Sequence, residues 1–88
     1  MTSTGSEEFW NLYRNLPPHI RQAAREGYGK FRANPAHPSL HLERLRGSAR
    51  AWSVRITLDY RAVALRRGDD WTWIWIGRHK EFDRLFPA

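Results

Sequence analysis

Apolar residues Phe9, Leu12, Tyr13 and Leu16 recur at intervals of three and four, which predicts a short helix from about Glu7 to Asn15. Thr4-Gly-Ser-Glu7 just before it has the Ser/Thr-x-x-Glu spacing of a capping box. Pro17 and Pro18 stop this helix and open a second, because proline is tolerated in a first turn, where its missing N–H would have no partner anyway. Ile20, Ala23, Ala24, Tyr28 and Phe31 then form one apolar stripe, with Arg21, Gln22, Arg25, Glu26, Lys30 and Arg32 on the opposite face. Asn34-Pro35 ends the second helix near Ala33, since the residue before proline is pushed out of helical geometry. Gly27 falls on the apolar side, where a missing side chain admits another element.

Beyond an irregular connector the period changes to two. Leu40 to Arg46 reads as a short strand closed by Gly47-Ser48. Trp52, Val54, Ile56 and Leu58 alternate with Ser53, Arg55, Thr57 and Asp59, the signature of a strand with one apolar face. Tyr60 to Arg67 is a further alternating strand, with Val63 and Leu65 on one face and Ala62 and Ala64 on the other, and Gly68-Asp69-Asp70 turns it into the last. That last strand, Trp71 to Ile76, is apolar at nearly every residue, which suits a central position covered on both faces. Strict alternation puts Trp71, Trp73 and Trp75 on one side and Thr72, Ile74 and Ile76 on the other. The aliphatic side is then expected under the helices and the indoles on the open side; the alternative is that all three indoles are core. The expected fold is α+β: two N-terminal helices packed on one face of a small antiparallel sheet, with a short C-terminal segment, as a single domain over residues 1–88.

Composition narrows the function. Five Trp, four Phe and three Tyr in 88 residues give a small domain the bulk for a core. There is no cysteine, hence no disulfide framework and no thiolate metal site, and a cytoplasmic location is expected. The first eight residues lack the features of a signal peptide, and no apolar run has the length of a membrane span, so no membrane association is expected. Fifteen basic against nine acidic residues give a net charge of +6, with Lys30 and Lys80 the only lysines. Arginine's planar fork suits phosphate and carboxylate, so the expected partner is a polyanion or an acidic protein. Of the four histidines, His37 and His41 are four apart, but Pro38 between them forbids a shared helical face; neither metal nor cofactor is expected.

Arg55 lies on the polar face of its strand and Arg61 opens the next one across a tight turn, so both can project toward one surface as a phosphate clamp. Taken alone, exposed arginines are more often simple solubilising residues than phosphate ligands. The chain ending Trp73-Ile-Trp-Ile-Gly77-Arg78-His79-Lys80-Glu81-Phe82-Asp83 adds specificity. With Leu16-Pro-Pro, Asn34-Pro-Ala-His-Pro-Ser-Leu40, Leu45-Arg-Gly47, Trp52-Ser-Val-Arg-Ile56 and Tyr60-Arg-Ala62, it resembles the RelE/ParE superfamily of bacterial toxins over nearly the whole chain.

The resemblance implies the toxin of a type II toxin-antitoxin pair, held silent by an antitoxin protein. In the RelE branch it implies an endonuclease that cuts mRNA on the ribosome without metal. The positions matching Arg55 and Arg61 carry cations at the scissile phosphate there, and the position matching His79 carries the group thought to protonate the leaving oxygen. His79 suits that task because histidine changes charge near neutral pH. Glu43, His41 and Glu81 are the candidates for the base that takes the 2′-hydroxyl proton. Trp73, Trp75, Lys80, Phe82 and Ser53 are the candidate RNA contacts, with Phe86 a further stacking ring. Two positions depart from RelE: Ser53 stands where a lysine is matched, and the tyrosine that follows the acid is absent. The competing readings are a ParE-like inhibitor that binds DNA gyrase without chemistry, and a non-catalytic basic domain that binds RNA or only its antitoxin.

Overall fold

The computed structural model describes residues 1–87. The first helix, α1 (Glu7–Arg14), is capped by Ser6 rather than Thr4: Ser6 Oγ accepts the Phe9 N–H at 3.1 Å, satisfying an amide that has no partner within the helix. Glu7 and Glu8 occupy its first turn, where the helix dipole favours negative charge. The second helix, α2 (Pro18–Ala33), starts and stops at the prolines as expected. Leu40 lies beside Gly27, where an added Cβ would be 3.9 Å from Leu40 Cδ2, an ordinary contact distance.

Residues Thr2–Gly5, for which no strand was expected and of which Thr4 was expected as the helix cap, form a strand, β1. The others are β2 (Glu43–Arg44), β3 (Ala51–Arg55), β4 (Tyr60–Arg67) and β5 (Asp70–Arg78), and β5 runs directly into a third helix, α3 (His79–Leu85). The strand order is β1-β5-β4-β3-β2. β2 to β5 are antiparallel neighbours, but β1 runs parallel to β5, from Thr2 opposite Asp70 to Gly5 opposite Trp73. The antiparallel meander expected is present as β2 to β5, and β1 adds a parallel edge strand, so the sheet is mixed though mostly antiparallel.

The strand expected over Leu40 to Arg46 shrinks to two residues. Pro38–Leu40 instead form a 3₁₀ turn, capped by His37 Nδ1, which accepts the Ser39 N–H at 3.2 Å. β3 stops at Arg55 because the chain turns at once: Ile56 N–H donates to Tyr60 O at 2.9 Å, and Leu58 projects into solvent, 84% exposed. Gly68, with φ +58°, makes the β4–β5 turn in a conformation that glycine adopts without strain.

The pairing of β4 with β5 slips by one residue. Val63 faces Trp75 and Ala64 faces Trp73, so Ile74 is an extra residue without an opposite. The side-chain alternation of β5 inverts there. Trp71 and Trp73 join Phe9, Ile20, Phe31, Val54 and Ile76 in the core under the helices, whereas Trp75 turns to the outer face. The single indole ladder expected from strict alternation does not exist.

Phe31 is the centre of this core, 1% exposed, with its ring edge-on to Trp71 at 5.0 Å and to Trp73 at 5.2 Å. Trp73 Nε1 donates to Ser3 Oγ at 2.9 Å, which satisfies the buried indole N–H and ties β1 to the sheet. Truncating so buried a ring leaves a cavity between two indoles. We predict that Phe31→Ala lowers stability by about 3–5 kcal/mol, measured by denaturant unfolding.

Candidate functional site

On the outer face, Arg55 of β3 lies directly opposite Arg61 of β4, and Arg61 lies opposite Gly77 of β5. Pairing thus lines two guanidinium-bearing residues and a glycine in one row across the sheet. The next row is Glu43, Ser53, Val63 and Trp75, one residue from each of β2 to β5.

His79 follows where β5 becomes α3. Its backbone N–H donates to Asp59 O at 2.7 Å, anchoring the helix start to the β3–β4 turn. Arg61 Nε donates to His79 Nδ1 at 3.0 Å, and the Arg61 guanidinium also lies over the Phe82 ring, 5.4 Å from its centre. Phe82 stacks on His79 at 6.2 Å. The arginine, the imidazole and one aromatic ring therefore form a single contact group. His79 Nε2 lies 3.5 Å from Asp83 Oδ2, one helical turn on.

α3 is held to the outer face by aromatic contacts. Trp75 meets Phe82 at 6.3 Å and Phe86 at 5.7 Å, and these two phenyl rings meet each other at 5.5 Å. Gly77 makes room for this packing: a Cβ there would sit 2.7 Å from Trp75 Cζ2. Beside it, Arg78 Nε donates to the Tyr60 hydroxyl at 3.4 Å; that bond, with the nearby Asp59 carboxylate, holds the exposed Arg78 guanidinium more firmly in its charged form.

The expected site residues are thus partly assembled. Arg61 and His79 touch. Arg55 is placed beside them by strand register and makes no contact with His79; it also borders a recess of about 120 Å³ with Glu26, Lys30 and Ser39. Arg55 Nε is buried and has no acceptor among the described residues. Such a donor is costly unless it finds a partner, and a bound anion would supply one.

Of the candidate RNA contacts, Trp75 and Phe82 lie on the outer face, half-buried in the aromatic cluster, and Lys80 is exposed on α3. Trp73 and Ser53 need correction. Trp73 is 7% exposed beneath the helices, because the Ile74 bulge turns it inward. Ser53 is on the outer face but 1% exposed, since the middle of that face is covered. Among the candidate bases, Glu81 is ion-paired with Arg84, and His41 is exposed at the end of the 3₁₀ turn. Glu43 shares a sheet row with Ser53, adjacent to the arginine row.

Sequence reading missed Asp83. The His-x-x-x-Asp spacing was its only signal, and it becomes meaningful only once residues 79–85 are known to be helical.

The opposite side of the sheet carries an apolar groove of about 410 Å³ bordered by Trp10, Tyr13, Tyr28, Phe31, Val54 and Trp73. Trp10 and Tyr28 are exposed on its rim, where Arg25 Nη1 donates to the Tyr13 hydroxyl at 2.9 Å. No helix among the described residues is long and apolar enough to cross a membrane.

Two helices on one face of a small, mostly antiparallel sheet and a short helix on the other is the fold of RelE-type toxins. The chain is similar in structure to a chain of the RelB-RelE antitoxin-toxin complex from Methanococcus jannaschii, with TM-score 0.78, 18% identity, and 96% of this chain and 99% of that one covered. It is also similar to the YoeB/ParE toxin from Agrobacterium tumefaciens, with TM-score 0.71, 21% identity and coverage of 90% and 99%. For the isolated RelE toxin from E. coli the values are 0.69, 14%, 96% and 94%. No curated protein matches at the sequence level. The sequence pattern of the ParE-like toxin domain matches residues 18–84, and the chain belongs to that family, within the RelE/ParE superfamily.

If Trp75 needs the space over Gly77, filling it should loosen α3. We predict that Gly77→Ala costs about 1–3 kcal/mol and selectively lowers hydrogen-exchange protection in residues 79–85, while the strands keep theirs.

Proposed function

We propose that the chain, acting as one domain over residues 1–88, is the toxin of a type II toxin-antitoxin pair that cuts mRNA on the ribosome. The observation that carries this reading is the contact of Arg61 Nε with His79 Nδ1, on a face where Arg55 stands opposite Arg61. A phosphate-binding cation and a proton carrier share one point, as cleavage at a phosphodiester needs.

In the reaction, the 2′-oxygen attacks phosphorus, the bond to the 5′-oxygen breaks, and the products are a cyclic phosphate and a 5′-hydroxyl. Glu43 takes the 2′-hydroxyl proton. Arg61 and Arg55 balance the negative charge that builds on the phosphoryl oxygens. His79 gives its proton to the departing 5′-oxygen. Lys80 adds a cation on the approach, and Trp75 and Phe82 offer ring surface to the neighbouring bases. None of these roles calls for a metal ion.

The antitoxin is the second partner. Solved relatives from Methanococcus jannaschii and Pyrococcus horikoshii are RelB–RelE complexes. A net charge of +6 suits an acidic, partly disordered antitoxin segment that folds on binding. The apolar groove gives such a segment's hydrophobic residues a seat. A cytoplasmic location suits both roles.

Membership of the ParE-like family favours one other reading, inhibition of DNA gyrase by binding alone. Sequencing the ends of cellular mRNA after brief induction separates the two. We expect new in-frame ends with the wild type and their loss with Arg61→Ala; intact mRNA with stalled replication would mean gyrase. His79→Ala should reduce cleavage by about 10²–10⁴-fold and relieve growth arrest, while thermal unfolding and antitoxin affinity stay near wild type. Affinity for the antitoxin should fall as salt is raised, which titration calorimetry at several ionic strengths would show.

A further inference from the structure

The hydrogen bond between Arg61 and His79 fixes the state of the ring. An arginine Nε always carries its hydrogen, so His79 Nδ1, 3.0 Å away, is an acceptor and bears none. The single hydrogen of the neutral ring is then on Nε2, the atom 3.5 Å from Asp83 Oδ2. Two charged groups thus face the imidazole from opposite sides, Arg61 from β4 and Asp83 from α3. Among its chain neighbours, Arg78 is held by Tyr60, Glu81 is paired with Arg84, and Lys80 is exposed.

We propose that Asp83 is a positioning residue for His79, holding Nε2–H so that Nδ1 is the atom that transfers the proton at the scissile phosphate. The proposal rests on the nuclease reading and adds a residue and an atom to it. When Nδ1 gains a proton, its new N–H points at the Arg61 N–H and the bond between them is lost. Asp83, on the far side, stabilises the imidazolium that results. One protonation therefore charges the acid and releases Arg61 toward the phosphate. When Nδ1 gives its proton to the 5′-oxygen, the ring returns to the form that Arg61 and Asp83 both fit. The orienting role is that of the carboxylate behind the imidazole in hydrolase triads.

The test uses the full chain with Asp83→Asn and Asp83→Glu, which alter an exposed side chain on α3. The titration of the His79 ring, followed by NMR of its Cε1–H, needs no activity. Removing the carboxylate takes away the negative charge beside Nε2, so the ring of Asp83→Asn should lose its proton at lower pH than that of the wild type. Asp83→Glu should restore most of the shift. The alkaline limb of the RNA-cleavage pH profile should move down by the same amount in Asp83→Asn. An unchanged titration would overturn the positioning role while leaving the nuclease reading intact, and so would a shifted titration with an unmoved limb. A wild-type chain that cuts no RNA would instead defeat the nuclease reading, and the proton-transfer role with it.

Discussion

Ile74 has no opposite on β4, and this one-residue slip reverses the side-chain phase of β5 halfway along its length. Before the slip, the strand sends two indoles to the helices; after it, Ile76 takes their place and Trp75 appears on the other side. Without the reversal, Trp75 would compete for the space under the helices, and α3 would have no aromatic floor to rest on. His79, the first residue of α3, would lose its fixed position beside Arg61. The bulge thus supplies both the core and the platform for the site from one short run of residues.

The site itself departs from what local energetics would choose. Like charges directly opposite each other on neighbouring strands are destabilising, yet Arg55 and Arg61 are so paired. Arg61 is partly compensated by the His79 nitrogen and the Phe82 ring, whereas Arg55 keeps a buried N–H with no acceptor among the described residues. Such local conflict is expected where binding, rather than stability, sets the residue.

Both helices were legible in the chain because their signals are local: proline and asparagine at the boundaries, and one apolar stripe in each. β4 was legible to the residue, since its alternation is clean and glycine turns it into β5. β1 was not, because Thr-Ser-Thr-Gly has no apolar alternation and becomes a strand only through β5, a partner late in the sequence. The bulge was equally hidden. A run apolar at nearly every position fits either phase, so the sequence could not say where the faces exchange. Trp73 was misplaced for that reason, and Ser53 because its exposure depends on what covers the outer face. Arg61 and His79 could be named from sequence through their order in a familiar pattern, but their contact and the role of Asp83 required the turn into α3.

The parallel pairing of β1 also orders events in time. Its contacts span the chain, from Thr2 to Asp70, a separation of 68 residues, and such non-local closures are slow. During synthesis the first strand to appear must wait for the last before its backbone is paired. Until then a short polar segment stands open as an edge, and α1, which follows it directly, lacks the strand against which it packs. The hydroxyl-rich, apolar-poor character of Thr2-Ser3-Thr4 suits that delay, because an unpaired strand of this kind offers little hydrophobic surface to another nascent chain.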